Sequence, residues 1–169
     1  MELHTNRLRI IPLDLVQFRI LLDDIEKLEK VLGLKPSHQA MDEHTRQAME
    51  SNYQQVQENT ESYLWYTNWQ IILKSEVVAI GSASFKGVPN VKGEVEIGYG
   101  TDPPFRNKGY MTEAIRTICS WALNQPGITG VIAETELDNV ASQKVLEKSG
   151  MKRYLETENG IWWWIQVNS

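Results

Sequence analysis

Cysteine is almost missing from this chain: Cys119 is the only one in 169 residues, so no intramolecular disulfide can form. The three histidines, His4, His38 and His44, are scattered, and no Cys/His spacing suited to zinc exists, so no metal is expected. Long apolar runs are missing too. The longest, Ile161 to Ile165, falls far short of the ~20 residues of a membrane-spanning helix. Residues Met1 to Ile10 alternate polar and apolar side chains and hold no apolar signal core, which predicts a protein that stays in a reducing cytoplasm and off the membrane. Basic excess is absent: 17 Lys and Arg face 22 Asp and Glu, a net charge of -5, which argues against general nucleic-acid binding. There is no internal repeat. With 41% hydrophobic and 23% charged residues the composition is that of a globular chain, and the length predicts one domain over residues 1–169.

Periodicity supplies the elements that are present. Leu8, Ile10 and Pro12 read as a short opening strand, and Asp14 as the cap of one amphipathic helix running from Leu15 through Phe18, Leu22, Ile25 and Leu28 to Leu32, with Gly33 as its stop. Residues 34–61 carry only a thin apolar stripe and predict a loop followed by an exposed helix. Tyr63 to Leu73 and Val77 to Phe85 predict a hairpin turning at Lys74 to Glu76, and Val95, Ile97 and Tyr99 mark a third strand. Met111, Ile115, Ile118 and Ala122 share a helix face. Val131 to Glu136 reads as a strand, Asn139 to Ser149 as a helix and Tyr154 to Val167 as a hairpin turning near Asn159-Gly160. This order predicts an α+β fold, a mixed and mostly antiparallel sheet of about seven strands with helices packed on it.

One segment concentrates chemistry. From Glu96 to Ile115 a strand, a basic glycine-containing turn and a helix start follow one another directly. A helix N-terminus carries free N–H groups and about half a positive charge, so the turn from Arg106 to Met111 can hold an anion on its amides. Gly109 permits close approach, and Arg106 and Lys108 favour a polyphosphate over a carboxylate. The dinucleotide fingerprint fails at Pro103, and no G-x-x-x-x-G-K-[ST] is present. A plain solvated turn remains the alternative for these letters alone.

Arg106-Asn107-Lys108-Gly109-Tyr110-Met111 resembles the [QR]-x-x-G-x-[GA] pyrophosphate loop of the GCN5-related N-acetyltransferase superfamily, with Thr112-Glu113-Ala114 as its usual continuation. Asn139 to Met151 is similar to the N-x-x-S-x-x-V-L-E-K-x-G-F signature of the RimJ/RimL-like branch, and His4 to Arg9 to that branch's opening strand. The resemblance covers almost the whole chain. It implies binding of acetyl-CoA by Tyr99, Gly100, Thr101, Arg106, Asn107, Lys108, Gly109, Tyr110, Met111, Thr112, Asn139 and Ser142, and acetyl transfer to a primary amine, either a protein N-terminus or a small amine. Three positions depart from the pattern. Met111 replaces a small residue, Gly100 replaces a large one, and Leu146 stands where many members carry a tyrosine acid.

Amide formation from a thioester needs a base for the ammonium proton and a donor for the leaving sulfur. By the resemblance Glu96 is the base, directly or through water; a solvent-facing strand carboxylate is the other reading, with Glu94, Glu134 and Glu136 as substitutes. A thiol of pKa about 8.5 needs only a placed hydrogen bond, which Ser142 can donate unless it is an ordinary helix-surface serine. Asn139 is a helix cap, a ligand of the pantetheine arm, or both. Cys119 belongs to the core, and in Trp162-Trp163-Trp164 alternation sends Trp163 to one face and its neighbours to the other, giving core plus an interface, with a homodimer left open. Residues 34–61 are expected to wall the acceptor pocket. The function expected is acetyl transfer by direct attack in a ternary complex; the alternative is a non-catalytic acyl-CoA sensor.

Overall fold

A computed structural model describes residues 1–167. Alternation builds a sheet of eight strands: β1 (Leu3–His4), β2 (Leu8–Pro12), β3 (Trp69–Leu73), β4 (Val78–Phe85), β5 (Glu94–Thr101), β6 (Gly130–Thr135), β7 (Lys152–Glu156) and β8 (Ile161–Gln166), in the order β1-β2-β3-β4-β5-β6-β8-β7. All neighbours are antiparallel except β5 and β6. A parallel pair requires a crossover, supplied here by helix α4 (Tyr110–Leu123), which follows α1 (Leu15–Asp23), α2 (Ile25–Val31) and α3 (Glu43–Glu58) and precedes α5 (Val140–Ser149).

Neighbouring residues on a strand point to opposite faces, and here both faces of β2 and β3 are apolar. Ile10 and Ile71 join Ile97, Ile115, Ile118 and Trp163 in a core beneath α4. Ile11 and Ile72 join Leu13, Phe18, Leu22, Leu28 and Val56 in a second core beneath α1, α2 and α3. The sheet is therefore a wall between two helical layers. On β5, Val95 and Ile97 are buried toward α4, so alternation turns Glu94, Glu96, Gly98 and Gly100 toward the opposite face.

The feature that shapes the molecule is an incomplete pairing. β5 and β6 are in register only over Glu94 to Glu96 against Gly130 to Ile132. β5 nevertheless stays paired with β4 as far as Thr101, and β6 with β8 as far as Thr135. The two halves of the sheet diverge after Glu96, leaving a wedge between them.

The fold class is as expected, and the bounds of several elements differ. The helix expected from Leu15 to Leu32 is two helices, because Asp24 is extended (φ -161°, ψ 107°) and its carboxylate accepts a hydrogen bond from the Lys27 amide, starting α2 afresh. Its own N–H closes α1 onto Ile20 O, so one residue ends one helix and begins the next. The strand expected from Tyr63 begins at Trp69; Thr60–Trp65 is a 3-10 turn, and Tyr63, Leu64 and Trp65 pack into the two cores from it. The short β1 raises the strand count to eight, and the last hairpin starts at Lys152. Asp24→Ala should lower stability to urea by about 1 kcal/mol, and Asp24→Gly by less, because glycine is itself a fair cap. Equal losses for both would show that the cap does not hold the break.

Candidate active site

The wedge exposes backbone. Glu96 O accepts from Lys86 N, and Asp102 N donates to Ile80 O, both at 2.9 Å, so even-numbered residues of β5 bond toward β4. Alternation then turns the backbone groups of Tyr99 and Thr101 toward the opening, and Thr101 O is met there by Arg106 Nε at 3.0 Å. The Tyr99 side chain crosses toward α5. Its Oη lies 2.7 Å from Ser142 Oγ and donates to Ser142 O at 3.1 Å. Burial pushes the Tyr99 phenol up to about 12, against the opposing pull of the Ser142 hydrogen bond. Asn139 caps α5 by accepting the Ser142 amide on Oδ1 at 3.1 Å, so cap and hydroxyl pair are one unit.

The basic turn is built for an anion. Asn107 (φ 60°) and Gly109 (φ 78°) both take the left-handed conformation, and Gly109 sits at the N-cap of α4 with no side chain capping the helix. The first amides of α4 are thus free of side-chain competition, with Lys108 and Arg106 exposed beside them. Met111 does not crowd them: its side chain is buried in the core beneath α4. Sequence reading missed the brace behind the turn. Arg7 donates from Nε to Glu113 Oε2 at 2.7 Å and from an Nη to Lys108 O at 3.1 Å, and stacks over the Tyr110 ring at 4.6 Å. Thr5 Oγ1 also donates to Glu113. Burial raises the Glu113 carboxyl, but the Thr5 and Arg7 hydrogen bonds outweigh it and hold the group below its usual range.

Glu96 lies on the other side of the sheet, half-buried, with Lys86 Nζ 2.5 Å from its Oε1. Of the substitutes, Glu94 is held by Asn90 at 3.0 Å, and Glu134 and Glu136 are exposed. Leu146 is fully buried, and so is Cys119, whose thiol burial pushes up to about 12; neither position offers acid or nucleophile.

On the Glu96 side of the sheet, a cavity of about 470 Å³ adjoins the free segment of β5. Gly100 and Thr101 form part of its wall with Gly81 and Ser82, and a Cβ built at Gly100 would meet no heavy atom within 4 Å. Leu34, Ser37, Met41 and Met49, from the segment after α2 and from α3, line it. Leu21, Ile25, Leu28 and Glu29 also line it, and those residues showed no functional signal in the sequence. Asp102 stands at the same cavity, its carboxyl raised by burial and by the nearby Glu29 charge, in spite of Arg106. Among the described residues no group of metal-ligating side chains occurs, and no helix is long and apolar enough to cross a membrane.

A half-split sheet with an uncapped helix start at the split offers an anion and a strand-like chain a common site, and comparison with known proteins supplies the class. Residues 7–152 match the family model described as the acetyltransferase (GNAT) domain. The chain belongs to this family and is an N-acetyltransferase. It is 31% identical over 152 residues to the uncharacterized N-acetyltransferase YjdG of Bacillus subtilis (strain 168), covering 88% of each chain. Its fold aligns with RimL, a ribosomal L7/L12 alpha-N-protein acetyltransferase in complex with coenzyme A (TM-score 0.69, 15% identity, 99% of this chain and 98% of that one). It also aligns with a ribosomal-protein-S5-alanine acetyltransferase from Vibrio fischeri (TM-score 0.68, 16% identity, 98% and 96%).

Because Glu113 has a folded-state pKa below its unfolded one, the brace stabilises fully above the ordinary value of 4.5 and is lost as pH falls through the folded value. Glu113→Gln should therefore cost about 1–2 kcal/mol near pH 7, with the difference from the parent shrinking below about pH 4. A pH-independent loss in urea titrations would show that shape and not charge holds the brace.

Proposed function

We propose that this chain is a single catalytic domain that moves an acetyl group from acetyl-CoA to a primary amine by direct attack with both substrates bound. The observation that carries the reading is the wedge after Glu96 with an uncapped α4 start at its end. Amides of Tyr110, Met111 and Thr112, approached over Gly109, fit a pyrophosphate, with Arg106, Asn107 and Lys108 alongside. The backbone of Tyr99 and the Thr101 amide, beside Gly100, fit an amide-bearing arm that pairs as a strand would, with Asn139 and Ser142 on its other side. Acetyl-CoA supplies an acyl carbon already activated as a thioester.

The residues then divide the proton work. Glu96, with Oε1 held by Lys86, accepts the ammonium proton on Oε2 or through water, freeing the nitrogen lone pair. As the N–C bond forms and the C–S bond breaks, the Tyr99 hydroxyl turns its proton to Ser142 Oγ, which frees the Ser142 proton to hydrogen-bond the departing sulfur, and the remaining amine proton leaves with that sulfur as the CoA thiol. A non-catalytic sensor would bind acetyl-CoA equally well, so thiol release in the presence of amines is the deciding measurement.

Gly109→Val places a β-branched residue at φ 78° and should weaken acetyl-CoA by at least about tenfold in calorimetry, and Lys108→Ala by less. Unchanged affinity for the valine variant would remove the turn from the site. Ser142→Ala should lower kcat about tenfold or more with acetyl-CoA affinity nearly intact; a loss of affinity alone would make Ser142 a binding residue. With an amine of pKa about 10.4, Glu96→Gln should lose most activity near pH 7 and partly recover by about pH 9 to 10, where free amine is plentiful. A profile parallel to the parent's would exclude Glu96 as the base.

A further inference from the structure

We propose that the cavity beside Gly100 is the acceptor pocket and that it selects a primary amine carrying a second cationic group on an apolar chain, with Glu29 as the receptor for that second charge. The proposal rests on the acetyl-transfer reading above and adds the class of acceptor. Its size, about 470 Å³, suits a small molecule. It opens onto the one stretch of β5 that lacks a partner toward β6, which is where the reacting carbonyl of a strand-like acyl arm would lie.

Glu29 is the decisive residue. It is only 4% exposed, yet no Lys or Arg pairs with it among the described residues. Its Oε1 accepts from the Ser37 amide at 3.0 Å, while Oε2 has no donor among the described residues and is not sealed from solvent. A carboxylate held this deep without a cation is costly unless something of opposite charge completes it. Asp102 adds a second carboxylate at the same cavity, close enough for the two charges to act on each other; Arg106 also lines the cavity and offsets the Asp102 charge in part, so Glu29 is the carboxylate left without a cation among the described residues. Between the charges the wall is apolar: Leu21, Ile25, Leu28 and Met41. Hydrocarbon with cationic nitrogen at both ends matches this lining. An acceptor with a carboxylate tail does not.

Gly100 keeps the pocket open. Its absent side chain would point into free space, and its φ is not of the left-handed kind, so a larger residue enters the cavity without straining the strand.

The test measures thiol release from acetyl-CoA with 1,4-diaminobutane, butylamine, 4-aminobutanoate and a short peptide with a free N-terminus. We expect kcat/KM for the diamine to exceed that for butylamine and for 4-aminobutanoate by at least about tenfold, the size of effect an opposed buried charge gives. Glu29→Gln keeps the acceptor for Ser37 and should collapse the diamine-to-butylamine ratio toward one; Asp102→Asn should reduce it in part. Gly100→Leu should raise KM for the diamine, with acetyl-CoA affinity and melting temperature reporting that the variant is folded and loaded. Turnover with all amines and no diamine preference, or a preference for the peptide, would overturn the pocket proposal and leave acetyl transfer standing. Silence from every amine while acetyl-CoA still binds would overturn both.

Discussion

The loss of pairing between β5 and β6 after Glu96 is the constraint on which the rest depends. Each strand is held on its outer side, β5 by β4 and β6 by β8, so neither can close the gap without giving up an antiparallel ladder. Backbone polar groups left at such an edge need partners. What stands in the wedge is side-chain chemistry: Tyr99 reaching to Ser142, and Arg106 folding back on Thr101 O. The wedge therefore has a width set by the two halves of the sheet and a polar lining supplied by Tyr99, Ser142 and Arg106.

Opposite faces of the sheet carry opposite charge. On the α4 and α5 face the helix start and Lys108 present positive potential in a chain whose net charge is -5. On the other face stand Glu96, Glu29 and Asp102, and Arg106 reaches the cavity that holds the last two. In the proposed reaction an anionic and a cationic substrate would approach from opposite sides of the same strand and meet where the strand is bare. A deeper cavity on the α4 side would bring both charges into one field; the sheet keeps them apart until the reacting atoms are in line.

Local chemistry was legible in the sequence, and long-range chemistry was not. The Gly109 turn, the Asn139 cap and the Met111 to Ala122 stripe depend on residues within a turn or two of each other, and each stands where spacing placed it. Asp24 was hidden by apolar spacing that runs across it without a break, since one capping carboxylate outweighs continuity that periodicity alone cannot see. Tyr63 to Tyr66 read as strand because aromatic residues favour strands, but their burial comes from two cores meeting at a 3-10 turn. The Arg7 to Glu113 brace joins residues 106 apart, and the cavity joins α2 to the end of β5; no spacing rule links such positions.

The hydroxyl pair at the wedge also fixes where pH sensitivity can arise. With its phenol pushed up to about 12 by burial, Tyr99 remains protonated throughout the working range and its hydrogen bond to Ser142 does not titrate. Cys119, buried and raised to about 12, is silent as well. Under the proposed mechanism, a change of rate with pH then comes from the amine or from the carboxylates on the opposite face. Of these, Asp102 is displaced upward by burial and by Glu29, so acidification neutralises it before an ordinary aspartate and removes part of the attraction for a cationic acceptor. Under the proposed mechanism, binding of the amine and its deprotonation both weaken on the acid side, while the Tyr99 and Ser142 hydroxyl pair stays constant.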